Sequence, residues 1–116
     1  MTNRYDIMVL GTGEAGIFAA YELALRCPEA KVLVVDQGAD IYHRSCPIVA
    51  GKVKTCINCP VCDTMCGFGG AGAFSDGKFN FTTDFGGWLT DFLPQDEVME
   101  LIDSVDSINV EHGATT

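Results

Sequence analysis

Basic side chains are scarce in this 116-residue chain, and past residue 54 they almost vanish. Seven Lys and Arg stand against sixteen Asp and Glu, for a formal charge of −9. Residues 1–54 balance six bases (Arg4, Arg26, Lys31, Arg44, Lys52, Lys54) against six acids, whereas residues 55–116 set Lys78 alone against ten. Nucleic-acid binding needs clustered Lys and Arg to neutralise phosphates, so a nucleic-acid partner is not expected. Docking on an anionic membrane surface is disfavoured for the same reason. Long apolar runs are missing too, and none approaches the roughly 18–20 residues that span a bilayer. The run Ile7 to Leu10 stops at Gly11 and meets Glu14, short of the roughly 7–15 apolar residues of a secretory leader. The protein is therefore expected in the cytosol, with its thiols reduced. Its six cysteines (Cys27, Cys46, Cys56, Cys59, Cys62, Cys66) then read as metal, redox or packing residues rather than a disulfide frame. Internal repeats and low-complexity segments are absent, and His43 and His112 stand at no ligand spacing.

What is present is an ordinary globular composition, 47% apolar and 20% charged, at the length of about one small domain. Tyr5 to Leu10 (YDIMVL) is apolar on consecutive positions and ends on glycine, which predicts a strand covered on both faces, as in a parallel sheet. Gly11-Thr12-Gly13-Glu14-Ala15-Gly16 follows, then IFAAYELALR with Ile17, Ala20, Tyr21 and Ala24 at helical spacing and Pro28 closing the helix. Lys31 to Asp36 (KVLVVD) is a second buried strand with an acid at its carboxyl end.

Strand, glycine turn, helix, strand and acid have separate tasks when a dinucleotide binds. Gly11 permits the tight turn, Gly13 removes the side chain that would block a pyrophosphate, and Gly16 lets helix and strand pack closely. The helix N-terminus offers unpaired amides and a partial positive charge to the phosphates. Asp36, twenty residues after Gly16, is placed to accept hydrogen bonds from a ribose hydroxyl and to repel a 2′-phosphate. The choice between FAD and NAD turns on what comes next. A nicotinamide domain of the usual kind continues with a helix soon after the second strand. Residues 37–93 show no helical period but hold Gly38, Pro47, Gly51, Pro60 and a dense glycine patch. A long excursion at that point resembles the FAD domains of the glutathione reductase kind, and FAD is the favoured cofactor.

The excursion carries the most concentrated chemistry, Cys56-x2-Cys59-x2-Cys62-x3-Cys66. The spacing matches the bacterial ferredoxin run, except that Gly67 stands where that run continues with proline. In two-cluster ferredoxins the last cysteine serves the other cluster, and this chain has no second run. A single iron–sulfur cluster would need Cys66 folded back, or Cys46 recruited from the Ser45-Cys46-Pro47 turn. Zinc held by four thiolates is open as well, and so are reduced thiols or a thiol pair exchanging electrons with a flavin.

Immediately after Cys66, Gly67 to Lys78 (GFGGAGAFSDGK) sets four glycines in six residues, a pattern that lets backbone approach a ligand and present amides to an anion. Ser75, Asp76 and Lys78 are either a solvated turn or specificity groups beside that loop. Lys78 to Thr82 (KFNFT) alternates polar and aromatic residues and predicts a half-buried strand. Phe79, Phe81, Phe85, Trp88 and Phe92 are expected as core. Pro94 to Asn109 (PQDEVMELIDSVDSIN) predicts an amphipathic helix, with Val98, Leu101, Ile102, Val105 and Ile108 on one stripe. Its acids, Asp96, Glu97, Glu100, Asp103 and Asp106, are expected on the solvated face.

The segments VLGTGEAGIFAAYELA, VVDQG, the cysteine loop and MCGFGGAGAFSDGK followed by FGGWL resemble the N-terminal part of prokaryotic FAD-dependent dehydrogenases, NAD(P)/FAD-dependent oxidoreductases. The resemblance runs through about the first 110 residues, and GGAGAFSDGK is its most specific part. It implies a flavin oxidoreductase of two-domain, two-dinucleotide-binding architecture. By it, Gly11, Gly13, Glu14, Ala15, Gly16, Asp36 and Gln37 would contact the ADP half of FAD, and Arg44 would lie near the ribose or pyrophosphate. Gly69, Gly70, Ala71, Gly72 and Ala73 would lie toward the flavin. Such proteins are several times longer, and a doubly wound sheet needs further strands, so polypeptide beyond Thr116 and a small-molecule substrate or electron acceptor are expected. The expected fold is thus α/β. Residues 1–40 form the βαβ start of a Rossmann-like FAD/NAD(P)-binding domain, 41–93 a Cys/Gly/aromatic-rich insertion, and 94–116 the acidic helix and chain end. A metal-binding electron-transfer module and an inactive chain that keeps only the binding motif are the alternatives.

Overall fold

The computed structural model describes residues 4–84 and 86–115, and within them the chain is mixed α/β. A strand β1 (Ile7–Leu10) leads to helix α1 (Glu14–Arg26) and a second strand β2 (Val32–Val35), which pairs with β1 in parallel. The register sets Ile7 opposite Val32, Met8 opposite Leu33, Val9 opposite Val34 and Leu10 opposite Val35. Both strands start and stop within two residues of the bounds predicted from their apolar runs. At the lower end Asp6 N donates to Lys31 O at 2.9 Å and Lys31 N donates to the Asp6 carboxylate at 2.9 Å, so the pair is clamped there. Residues between β2 and the end of the glycine patch form turns and one 3-10 helix, Gly70–Phe74. A second 3-10 helix, Leu89–Asp91, precedes helix α2 (Gln95–Glu111), which Pro94 starts as its N-cap residue.

Contacts divide the chain into two compact units, one running to Gly77 and the other beginning at Lys78. The cysteine loop and glycine patch therefore pack with the βαβ element, while residues 78–93 belong with α2. In the second unit Val98, 4% exposed, is the most deeply buried apolar side chain among the described residues. Ile102, Val105 and Ile108 of its stripe are half-buried, Leu101 is exposed, and the acids are exposed except for half-buried Asp106.

Three expectations do not hold. β1 and β2 are not covered on both faces: Met8 and Leu10 are 59% and 76% exposed, because the single helix between the strands covers one side only. Lys78 to Thr82 is not a strand. The two described strands pair only with each other, so the alternating segment has no ladder to join, and Phe79 and Phe81 stay about half exposed. Trp88 and Phe92 are likewise exposed rather than core. Phe85 lies outside the described residues. No helix is long and apolar enough to cross a membrane among the described residues.

Candidate functional site

The turn between β1 and α1 is built from backbone alone. Gly11 sits at φ +98°, a conformation that favours glycine, and its N–H closes the strand end by donating to Val35 O at 2.7 Å. Gly13 is the N-cap of α1 in extended geometry and supplies no side-chain hydrogen bond to the helix. The first amides of α1, from exposed Glu14 and Ala15 onward, therefore keep the unpaired donors that every helix start carries. Gly16 is needed for packing: a Cβ there would run into the carbonyl of Gly11 and stand 3.6 Å from Val9 Cγ1. At Gly13 a Cβ would meet only Gly70 Cα, 4.0 Å away. Gly13 thus faces the Gly70 backbone at van der Waals distance, while the space in front of Gly16 is filled by the turn itself.

Asp36, at the carboxyl end of β2, ties three segments together. Its Oδ2 accepts from Thr12 N at 2.7 Å and Thr12 Oγ1 at 2.9 Å. Its Oδ1 accepts from Gly38 N and Gly67 N, each at 2.8 Å. These bonds, led by the Gly38 and Thr12 amides, hold the carboxyl down at about 2, against a small upward push from burial. All four acceptor positions of the carboxylate are filled. Thr12 is 8% exposed. Nothing in its sequence context marks it beyond a hydroxyl inside a glycine turn.

Gly67 explains the departure from the ferredoxin pattern. It sits at φ +108° and its N–H reaches Asp36. Proline has neither that φ nor an N–H. From Gly67 the patch folds onto the turn: Gly69 N donates to Thr12 O at 2.8 Å, and a Cβ on Gly70 would stand 2.9 Å from Gly13 Cα. Gly69 and Gly70 are so brought against Thr12 and Gly13, although they lie more than fifty residues further along the chain. Ala71, Gly72 and Ala73 continue from there in the 3-10 helix, with exposed surfaces.

Arg44 is placed differently. It is 7% exposed; Nε donates to Asp63 O and Nη1 to Phe68 O, both at 2.8 Å, and the guanidinium lies 4.7 Å from the centre of the Phe74 ring. Nη2 is buried without a hydrogen-bond partner. Two carbonyls of the cysteine and glycine segments thus hang on one planar fork, which makes Arg44 a clasp for the excursion.

Among the described residues, two cavities of this unit bear on the site. One, of about 460 Å³, opens at the carboxyl ends of the strands between Leu10, Gly11, Val35, Asp36, Gln37, Met65 and Cys66. Gln37 Nε2 donates to Cys66 Sγ at 3.1 Å across its wall. The other, of about 260 Å³, is lined by four of the six cysteines, Cys46, Cys56, Cys59 and Cys62, together with Ser45, Asn58, Asp63 and apolar side chains. The Cys46 thiol is pushed down from its ordinary value by hydrogen bonds from the Val49 amide, the Thr64 hydroxyl and the Ile48 amide. Cys27 is exposed at the end of α1. Among the described residues no three His, Cys, Asp or Glu side chains converge in a way that could hold one metal ion.

The structure therefore brings Gly11, Gly13, Gly16, Asp36, Gln37, Gly69 and Gly70 to one place, and separates Cys66 from the other three cysteines of the run. No protein-family model, curated protein or solved structure matches the chain.

Proposed function

We propose that this chain is the FAD-binding segment of a flavin-dependent oxidoreductase, built on a Rossmann-like βαβ element. The observation that carries the reading is the uncapped start of α1, with Glu14 and Ala15 exposed, beside a cleft at the strand ends. A pyrophosphate needs unpaired amides of this kind at a helix N-terminus. The cleft between Gly11, Asp36 and Gln37 suits an adenosine, since ligands of open α/β sheets lie outside the carboxyl ends of the strands. FAD is preferred over NAD because residues 37–69 contain no helix among the described residues and return to the glycine turn instead. When bound, FAD supplies hydride or electron transfer through its flavin ring.

The residues fit that group on one condition. Asp36 has no vacant acceptor position, so a ribose hydroxyl must take the place of one present donor. Thr12 Oγ1 is the donor that rotates away most easily, because the other three are backbone amides. Asp36 then serves twice, fixing the turn and receiving the ribose. We further propose a cytosolic protein that acts on a small-molecule electron donor or acceptor, with neither nucleic acid nor membrane as partner.

Titration with FAD, followed by flavin fluorescence and by the absorbance of the washed protein, tests the reading. Stoichiometric FAD retention, competed by ADP but not by a 2′-phosphorylated nucleotide, is expected. No binding of FAD at micromolar concentration would refute it.

A further inference from the structure

We propose that Cys46, Cys56, Cys59 and Cys62 are the ligands of an iron–sulfur cluster seated in the pocket they line, and that Cys66 is not a ligand. The inference does not rest on flavin binding. In the linear run, Cys66 is the natural fourth thiol. In the folded chain it lies in the wall of the strand-end cleft, where its sulfur accepts a hydrogen bond from Gln37. The place it leaves is taken by Cys46, which precedes the run by ten residues and lines the same pocket as the other three.

The surroundings suit thiolates. The Cys46 carbonyl accepts from Ala50 N at 2.9 Å, so the turn that carries the thiol is closed. Cys56 Sγ accepts from Asn58 N at 3.4 Å, with Asn58 in the left-handed region at φ 53°. Amide-to-sulfur bonds of this kind stabilise cluster thiolates and tune their potential. Pro47, Ile48, Val53 and Ile57 add an apolar part to a wall that Ser45 and Asn58 complete. Asp63, the one acid of the wall, has its Oδ2 engaged by Ser45 N at 2.9 Å.

Geometry also separates a cluster from a single ion. Zinc would need four sulfurs each about 2.3 Å from one point, hence roughly 3.8 Å from one another. No such convergence exists among the described residues. A cluster attaches each thiolate at its own corner or edge, so the sulfurs stand around a volume rather than a point. A pocket of about 260 Å³ lined by four cysteines is of that kind.

The test is anaerobic loading of the whole chain with ferric and ferrous iron in equal amounts and with sulfide, followed by assay of iron, zinc and acid-labile sulfide. Iron and sulfide in equal amounts, with a broad visible absorption, are expected. Cys46→Ser should lower both to less than about a tenth of wild type, while Cys66→Ser and Cys27→Ser keep them within about twofold. In parallel, thiol alkylation of the loaded and the chelator-stripped wild-type protein is mapped by mass spectrometry, which removes any dependence on variant folding. Only Cys46, Cys56, Cys59 and Cys62 should gain protection on loading. The proposal is overturned if Cys66 gains protection in place of Cys46, if zinc binds without sulfide, or if no metal is retained. FAD assayed in the same samples reports on the flavin reading separately.

Discussion

Alanine at Gly13 and alanine at Gly16 should act on different things, although the two glycines sit three residues apart. At Gly16 the new methyl enters the Gly11 carbonyl and lies 2.9 Å from its carbon. Both are backbone atoms, so the first turn of α1 must lift off the strand. Such overpacking costs about 1–3 kcal/mol. At Gly13 the backbone is at φ −71° and ψ −178°, which alanine adopts without strain, and the nearest atom is 4.0 Å away. Alanine there reduces the freedom of the unfolded chain, worth about 0.4–1 kcal/mol, and is a poorer N-cap than glycine by a similar amount. The net change in the ligand-free protein should stay within about 1 kcal/mol of zero. The methyl nevertheless occupies the space proposed for a pyrophosphate. Loss of two charge-assisted hydrogen bonds to amides, at about 1.5 kcal/mol each, weakens FAD by on the order of a hundredfold. Hydrogen exchange read by mass spectrometry, with FAD titration beside it, separates the two effects. Gly16→Ala should cut protection across α1 by about tenfold or more, and Gly13→Ala should leave it near wild type. Wild-type FAD affinity in Gly13→Ala would refute the assignment of the turn, whatever happens to Gly16→Ala.

Three further outcomes follow from the same geometry. Asp36 has a folded-state value near 2, below its ordinary 3.8; its stabilisation is complete above pH 4 and is lost as the pH falls from there toward 2, by at most about 2 kcal/mol after solvent screening, which an acid titration followed by circular dichroism reads. Asp36→Asn should remove more than that at neutral pH, since an amide NH2 placed among four donors leaves at least two of them unpaired, and faster exchange of the Thr12, Gly38 and Gly67 amides would register it. Arg44→Leu should cost about 2–4 kcal/mol by leaving the Asp63 and Phe68 carbonyls without a donor, and Arg44→Lys should recover little, because one ammonium cannot reproduce the fork; equal protection of the 63–70 segment in both variants and wild type would show that the clasp is idle.

The elements that could be read from the chain are those whose signal is local. β1, α1, β2 and α2 announce themselves through apolar runs, a helical period, Pro28 and Pro94, and their bounds came within a few residues. Gly11, at positive φ, and Gly16, whose Cβ would meet the Gly11 carbonyl, take the turn and packing tasks that their order suggests. What could not be read is whatever depends on partners far along the chain. KFNFT alternates as a strand should, but alternation says nothing about whether a neighbouring edge is present. Thr12 and Gly67 converge on Asp36 through an amide and a hydroxyl that any turn could hold, so no pattern distinguishes them. Cysteine spacing groups four thiols along the chain, yet it cannot show that Gln37, twenty-nine residues earlier, donates to Cys66 Sγ in the wall of a different cavity. The coverage of β1 was overestimated for a related reason, since an apolar run reports what a strand can tolerate and not what lies on it.

The carboxylate of Asp36 is the one point where the glycine turn, the end of β2 and the exit of the cysteine loop are all held, over sequence separations of 24 and 31 residues. A knot of this sort makes communication between the two cavities a matter of linkage rather than of distance. A displacement of Gly67 acts on the same carboxylate that holds Thr12. Were each cavity to take a ligand, any coupling free energy between the two binding events would have one value in both directions. The first residue after the cysteine run is in this sense also a residue of the glycine turn.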